Sequence, residues 1–464
     1  MVITNDRLEQ SRTLKQELLQ FTLDAEGELA RSLETYCADQ SRHWTTTGLN
    51  GINRLDLATE MFLTEGNVAD QSVLDIFIQQ RADLPSQAHA LVRTWKRSFN
   101  GLFVVMQSTA DGYDCMNWLT EKHYRVKPNG LQSDDELARL ESGEMFITRI
   151  APLSDCNSKS NSEDAAEGDW VFSGPMMLLG KLGKPKLAVA IGNFKNWFPH
   201  QLYGDAPDLL EEAWLSVERY HREFSEFFGG DRLTLSGHEL GKKLKEYQDF
   251  TTQKQLDDAG IDSSKSLQEI AQQAGVTEEE IAETTDALGQ EGEAAQNLFK
   301  SKKSLKMVMP SVELPKELRH AEAVTVFVHP RWGQAFLTDF SQLTELLSKH
   351  DEDENDEVSA ERLDRLVQKY LNDPSVNVVI WRELAAEYPK ALTLSLRRVT
   401  NNPDFTLERD LDATLVKFDK RLEPNLPEIA SVPIHLHTLF QDALQEVSKK
   451  KTKRKGKKSA GFGS

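Results

Sequence analysis

Leu102-Phe-Val-Val-Met106, Tyr113-Asp-Cys-Met-Asn-Trp118, Met145-Phe-Ile-Thr-Arg-Ile150 and Trp170-Val-Phe172 are the runs that decide the fold. They are broken by Ala110-Asp-Gly112, Pro128-Asn-Gly130, Ser142-Gly143 and Gly174-Pro175. Each is too short for periodicity to separate a strand from a buried helix. Their aromatic and β-branched content, with Asp-Gly and Asn-Gly turns between them, favours antiparallel strands. The stretch from Leu102 to Gly180 is therefore expected to be a β-meander or small barrel.

Helical patterns surround it. Residues 7 to about 40 place leucines at helical spacing, with Leu29, Leu33 and Tyr36 on one face. Val73 to Arg81 and Ser86 to Phe99 predict two more helices, the second capped by Ser86 and stopped by Gly101. Leu153 to Asp169 is small and polar, a loop between strands. Leu187-Ala-Val-Ala-Ile191 is read as one further strand, and Pro207-Asp208 opens a helix ended by Gly229-Gly230.

At 464 residues the chain is long for a single core, and two or three domains are expected. The expected division is 1–237, a helical collar with the β-meander; 238–304, a charged helical connector; 305–448, a mixed α/β domain; and 449–464, a basic tail. In the third, Ala323 to Val328 and Val376-Asn-Val-Val-Ile-Trp381 read as strands. Helices are expected around Leu337–Leu347 and Glu361–Leu371, then over Asp410–Phe418 and Leu436–Val447. The fold class is α+β: a helix-wrapped antiparallel β-meander or small barrel, with a smaller mixed α/β domain after it.

Charge is divided along the chain. The formal net charge is −19, yet Lys449, Lys450, Lys451, Lys453, Arg454, Lys455, Lys457 and Lys458 stand together without an acid. Taking those eight from the total leaves −27 on the remainder. A body that acidic repels phosphate polymers and anionic lipid, so contact with an anionic partner is expected to be local to the tail, where Phe462 adds one aromatic ring. Cys37, Cys115 and Cys156 form no paired spacing, which points to reduced thiols in a cytoplasmic setting. The N-terminus reads as no signal peptide, and no apolar run is long enough to span a membrane.

Motifs that resemble chemistry fall short of it. Ser266 to Leu288 has helix-turn-helix spacing, but Glu278, Glu279, Glu280, Glu283 and Asp286 would face DNA, so the electrostatics oppose DNA as a partner. Gly174 to Leu182 lacks the glycine spacing and the hydroxyl of a phosphate loop; Lys181, Lys184 and Lys186 read as a solvated basic turn. Asp351 to Glu357 starts like a calcium loop but has Asp356 where the turn needs glycine. His435 and His437 could share a metal on a strand but diverge on a helix, and Pro433 favours a helix entry. No cofactor is implied.

The runs Met61-Phe-Leu-Thr-Glu65, Val73 to Arg81, Ala88 to Trp95, Gly101-Leu-Phe-Val-Val105 and Trp118 to Val126 resemble a bacterial and cyanobacterial family related to SEC-C-associated proteins. The resemblance extends over about the first 230 residues and the lysine-rich Gly-Phe-Gly end. It implies no catalytic residue, and without paired cysteines near the end no zinc site is carried over. It implies a cyanobacterial or plastid-like cytosolic setting and an interaction role. The leading expectation is a noncatalytic interaction or assembly factor, with an unknown protein partner, whose tail touches an anionic surface. The alternatives are an RNA- or ribosome-associated protein using the same tail, and a hydrolase, metal-dependent or not, built on His435, His437 or the neighbourhood of His123 and Asp114.

Overall fold

The computed structural model describes residues 2–153, 169–258, 314–352, 357–440, 442, 443 and 446. The chain divides into two compact units. The first comprises residues 1–213 together with 431–464, and the second residues 214–430. The division falls inside a helix, Pro207–Phe228, rather than at 237.

In the first unit the expected β region is a closed barrel. Its strands are β3 (Phe99–Ser108), β4 (Tyr113–Asn117), β5 (His123–Lys127), β6 (Met145–Pro152) and β7 (Asp169–Phe172); β1 (Asn67–Val68) and β2 (Gln71–Ser72) form a separate small hairpin. β3, β4 and β5 follow as antiparallel neighbours, and β6 returns to lie beside β3, with Phe99 opposite Ile150 and Val104 opposite Met145. That order is a Greek key. β7 closes the ring by pairing antiparallel with β6 and parallel with β5, where Arg125 faces Asp169. β8 (Met177–Gly180) continues along the same edge of β6.

Alternation assigns the two faces of each strand. Phe99, Phe103, Tyr124, Phe146, Trp170 and Phe172 point inward and form the barrel core, with the Tyr124 and Trp170 rings 5.1 Å apart. Ala151 and Val171 point outward into a second cluster, made with helices α1 (Val2–Leu23), α3 (Arg54–Glu65), α4 (Val73–Gln80) and α5 (Ser86–Thr94). α2 (Glu28–Thr47) completes this collar. α3 was not legible as a helix; Asn53 caps it, its side chain accepting from the amides of Leu55 and Asp56. Ser86 is the first residue of α5 rather than its cap, and Phe99 belongs to β3.

Leu187-Ala-Val-Ala-Ile191 is helix, not strand. It lies in α7 (Lys184–Trp197), where Leu187, Ile191 and Phe194 recur at helical spacing on the buried side. The chain also returns to this unit: residues 434–440 are helical, and Leu436, Leu439 and Ala443 are buried.

The second unit holds a three-stranded antiparallel sheet of β9 (Arg232–Leu235), β10 (Val324–His329) and β11 (Gly333–Leu337), with β10 in the middle. Val324, Val326 and Val328 face one cluster, shared with Phe224 of α8 (Pro207–Phe228) and with Leu240, Leu244 and Tyr247 of α9 (Gly237–Asp258). Phe327 faces the other, which is built from helices Phe340–Glu352, Glu357–Asn372, Val378–Glu387, Pro389–Val399 and Leu407–Lys417. The opening of the expected connector, residues 238–258, is thus packed into this unit, while 259–304 lie outside the described residues. Val376-Asn-Val-Val-Ile-Trp381 is not a strand either: the Asn377 side chain accepts from the amides of Val379 and Ile380 and starts a helix at Val378.

α9 begins against backbone. A Cβ at Gly237 would lie 2.0 Å from the carbonyl oxygen of Leu318. Gly237→Ala is expected to destabilise the second unit by about 2 kcal/mol or more, because backbone rather than a side-chain tip must move. The denaturant midpoint checks this, and an unchanged midpoint contradicts the packing described.

Candidate functional site

A charged group lies where the collar meets the barrel. Arg149 sits at an outward position of β6, opposite Asn100, and its side chain is 0% exposed. Its Nη1 is 2.5 Å from Oε1 of Glu65, and its Nη2 donates to Thr64 Oγ1 at 2.6 Å and to the Ser98 carbonyl at 2.9 Å. Nearby, Lys15 of α1 reaches Glu60 Oε1 at 2.6 Å, and Ser173 donates to the same oxygen at 2.6 Å. Lys15 also stands 5.1 Å from the Trp95 ring. Gln201 links the parts: its amide nitrogen donates to Glu65, and its oxygen accepts from Asn100 N at 2.6 Å.

Two cations and two carboxylates balance. Burial holds the Lys15 ammonium below the usual lysine range against the pull of Glu60, and burial with the Glu65 charge pushes the Tyr36 hydroxyl up. Gly174 lets β7 and β8 pass close by, since a Cβ there would lie 3.0 Å from Arg149 Cβ. The arrangement is suited to fastening rather than to proton transfer, because each charge already faces its opposite. Sequence reading passed over it, although an arginine inside the apolar run Met145 to Ile150 was the available signal.

The residues singled out from the sequence are dispersed. Lys449 to Phe462, Ser266 to Leu288 and Cys156 lie outside the described residues, as do 353–356 of the acidic run. His435 Nε2 is 3.0 Å from the Trp118 carbonyl and Nδ1 is 3.5 Å from Glu121, while His437, two residues on along the helix, diverges from it. Among the described residues no three His, Cys, Asp or Glu side chains are grouped to hold a metal. His123 lies opposite Met116, whereas Asp114 lies opposite Arg125 at 3.7 Å, so the register separates His123 from Asp114. The Gly180 amide donates to Glu144 at 2.9 Å, occupying with a carboxylate the donor that a phosphate loop would offer.

The barrel wall is unevenly covered. Leu102 and Ile147 are buried and Val171 lies beneath the collar, while Arg125, His123 and Met106 on the outer side of β3–β5 are exposed. The returning C-terminal helix is fixed beside the β4–β5 turn by His435, and Asp442 meets Lys184 of α7 at 2.6 Å.

The second unit carries a histidine pair that the sequence did not suggest. Asp231 accepts from the Ser225 hydroxyl and stands 3.1 Å from His221 Nε2. Hydroxyl and imidazole share one carboxylate oxygen, so the imidazole does not lie between them as nucleophile activation requires. His329 Nδ1 instead accepts from the amides of Arg331 at 3.1 Å and Trp332 at 3.3 Å, closing the β10–β11 turn. No protein-family model matches the chain, and comparison with curated proteins and with solved structures gave no match.

Two outcomes follow from these contacts. Arg149→Met is expected to cost about 3 kcal/mol by leaving Glu65 without its cation, and adding Glu65→Gln is expected to restore part of it; denaturant midpoints read both. Burial and the neighbouring His221 depress the His329 pKa. Its stabilising contribution is therefore complete above the ordinary histidine value of about 6.5 and declines as pH falls from there towards the lower folded value. His329→Asn keeps an acceptor for the turn and should flatten that part of the stability–pH curve.

Proposed function

We propose that this chain is a noncatalytic interaction or assembly factor, and that its basic tail engages an anionic partner, in the first instance an acidic protein surface. The observation that carries this reading is the anchorage of the segment before the tail. Leu436, Leu439 and Ala443 are buried in the first unit, and His435 and Asp442 tie the same segment to the barrel and to α7. A tail that merely solubilised the chain would need no such fixed root. Eight positive charges beginning three residues beyond Glu446 then provide a strong local field on a body of opposite sign.

RNA is the second reading, favoured by the barrel. Greek-key barrels of five strands include modules that bind oligonucleotides on the face of their second and third strands, which here are β4 and β5. That face offers Arg125 and His123, but Arg125 is paired with Asp114. The resemblance to SEC-C-associated proteins also favours an interaction role. A cytoplasmic setting fits the unpaired cysteines, and no described helix is long and apolar enough to cross a membrane.

Full-length protein with the eight basic tail residues changed to glutamine is the test. In affinity purification at low and moderate salt, the altered tail is expected to lose a partner that the native chain retains after nuclease treatment. Equal recovery by both proteins rejects the role of the tail, and loss on nuclease alone transfers the reading to RNA.

A further inference from the structure

The first unit contains a cleft of about 860 Å³ between the α1–α2 turn and the β1–β2 hairpin. Phe21 and Ile76, both half-buried, line its apolar part. Asp24, Glu26, Glu28 and Asp70 also line it, and no lysine, arginine or histidine does. None of these four acids takes part in an ion pair recorded among the described residues; the neighbouring Arg31 turns its Nε to the Gly27 carbonyl at 3.2 Å. A cleft of this volume accommodates a small ligand or several residues of a peptide. Its chemistry asks for cations flanking an apolar anchor.

We propose that the cleft is the docking site of this chain's own C-terminal tail, with lysines of Lys449–Lys458 against the four acids and Phe462 against the apolar part. Charge complementarity supports this occupant, since the tail carries eight basic residues without an acid between Lys449 and Lys458, followed by Phe462. Length supports it as well. Phe462 lies 16 residues past Glu446, the last described residue, which belongs to the same unit. Those residues extend to about 55 Å, against roughly 70 Å half-way round a compact unit about 44 Å across, so most of the unit's surface lies within their reach. The inference rests on the tail being the anion-seeking element. It adds that the tail is held by its own body until a stronger polyanion displaces it.

Full-length protein at low concentration is treated with a zero-length carbodiimide, which joins an amine to a carboxylate in contact with it. Cross-links are expected within single molecules from tail lysines to Asp24, Glu26, Glu28 and Asp70, reduced about threefold by Phe462→Ala. Binding of poly-glutamate is then compared between native protein, the Asp24→Asn, Glu26→Gln, Glu28→Gln, Asp70→Asn variant, and a control with Asp6, Glu9, Glu34 and Asp39 neutralised, exposed acids that do not line the cleft. The cleft variant should bind about tenfold more tightly than the control. Cross-links spread over the body without preference, cross-links only between molecules, or equal binding by the two variants overturns the docking site. If the cross-links form as expected and no protein binds poly-glutamate, the docking site stands and the reading of an anionic partner falls.

Discussion

Burial of Arg149 is the constraint on which the first unit depends. A guanidinium removed from water is costly unless opposite charge and hydrogen-bond acceptors surround it. Here they come from α3, through Thr64 and Glu65, and from the short turn before β3, through the Ser98 carbonyl. The barrel strand and the collar therefore have to meet in one register. Lys15, Glu60 and Ser173 repeat the arrangement between α1, α3 and the end of β7. Apolar packing of Phe62, Trp95 and Val171 supplies the bulk of the contact, and the charges select among the ways in which that contact could slide.

Much of the barrel was legible because turn residues and aromatic runs are local signals. Asp111-Gly112 falls where β3 reverses into β4, Gly143 lies in the turn that leads into β6, and the runs from Leu102 to Phe172 are strand apart from Trp118. Errors arose where a short apolar run could serve either periodicity. Leu187 to Ile191 and Val376 to Trp381 contain β-branched residues, yet Pro185 and Asn377 open helices there. β5 was hidden by its alternation of His123 and Arg125 with Tyr124 and Val126, which reads as polar on average. α9 was legible as a charged helix but its packing was not, because its charge outweighs the few side chains, Leu240, Leu244 and Tyr247 with Phe250, that meet the core.

The candidate sites were less legible than the fold, since charge partners far apart in sequence leave no local pattern. Arg149 and Glu65 are 84 residues apart, and His435 is 317 from Trp118. Even the two histidines that sequence placed together are separated by helical geometry. What remained visible was the division of charge, a property of composition rather than of contact. The described residues give that division a fixed root on the first unit, through Leu436, Leu439 and Ala443.

The return of the chain at Ser431 after residues 214–430 makes the second unit an insertion within the first. During synthesis the barrel strands emerge early, yet the helix that packs Leu436 and Leu439 against that unit is made only after the whole insertion. Chains grow at about 5–20 residues per second, so the surface awaiting this helix stays uncovered for about 10–45 s at those rates. A nascent chain of this design is consequently exposed to premature association at one defined patch. The helix that carries Leu436 and Leu439 closes that patch, and the basic tail follows it in the sequence.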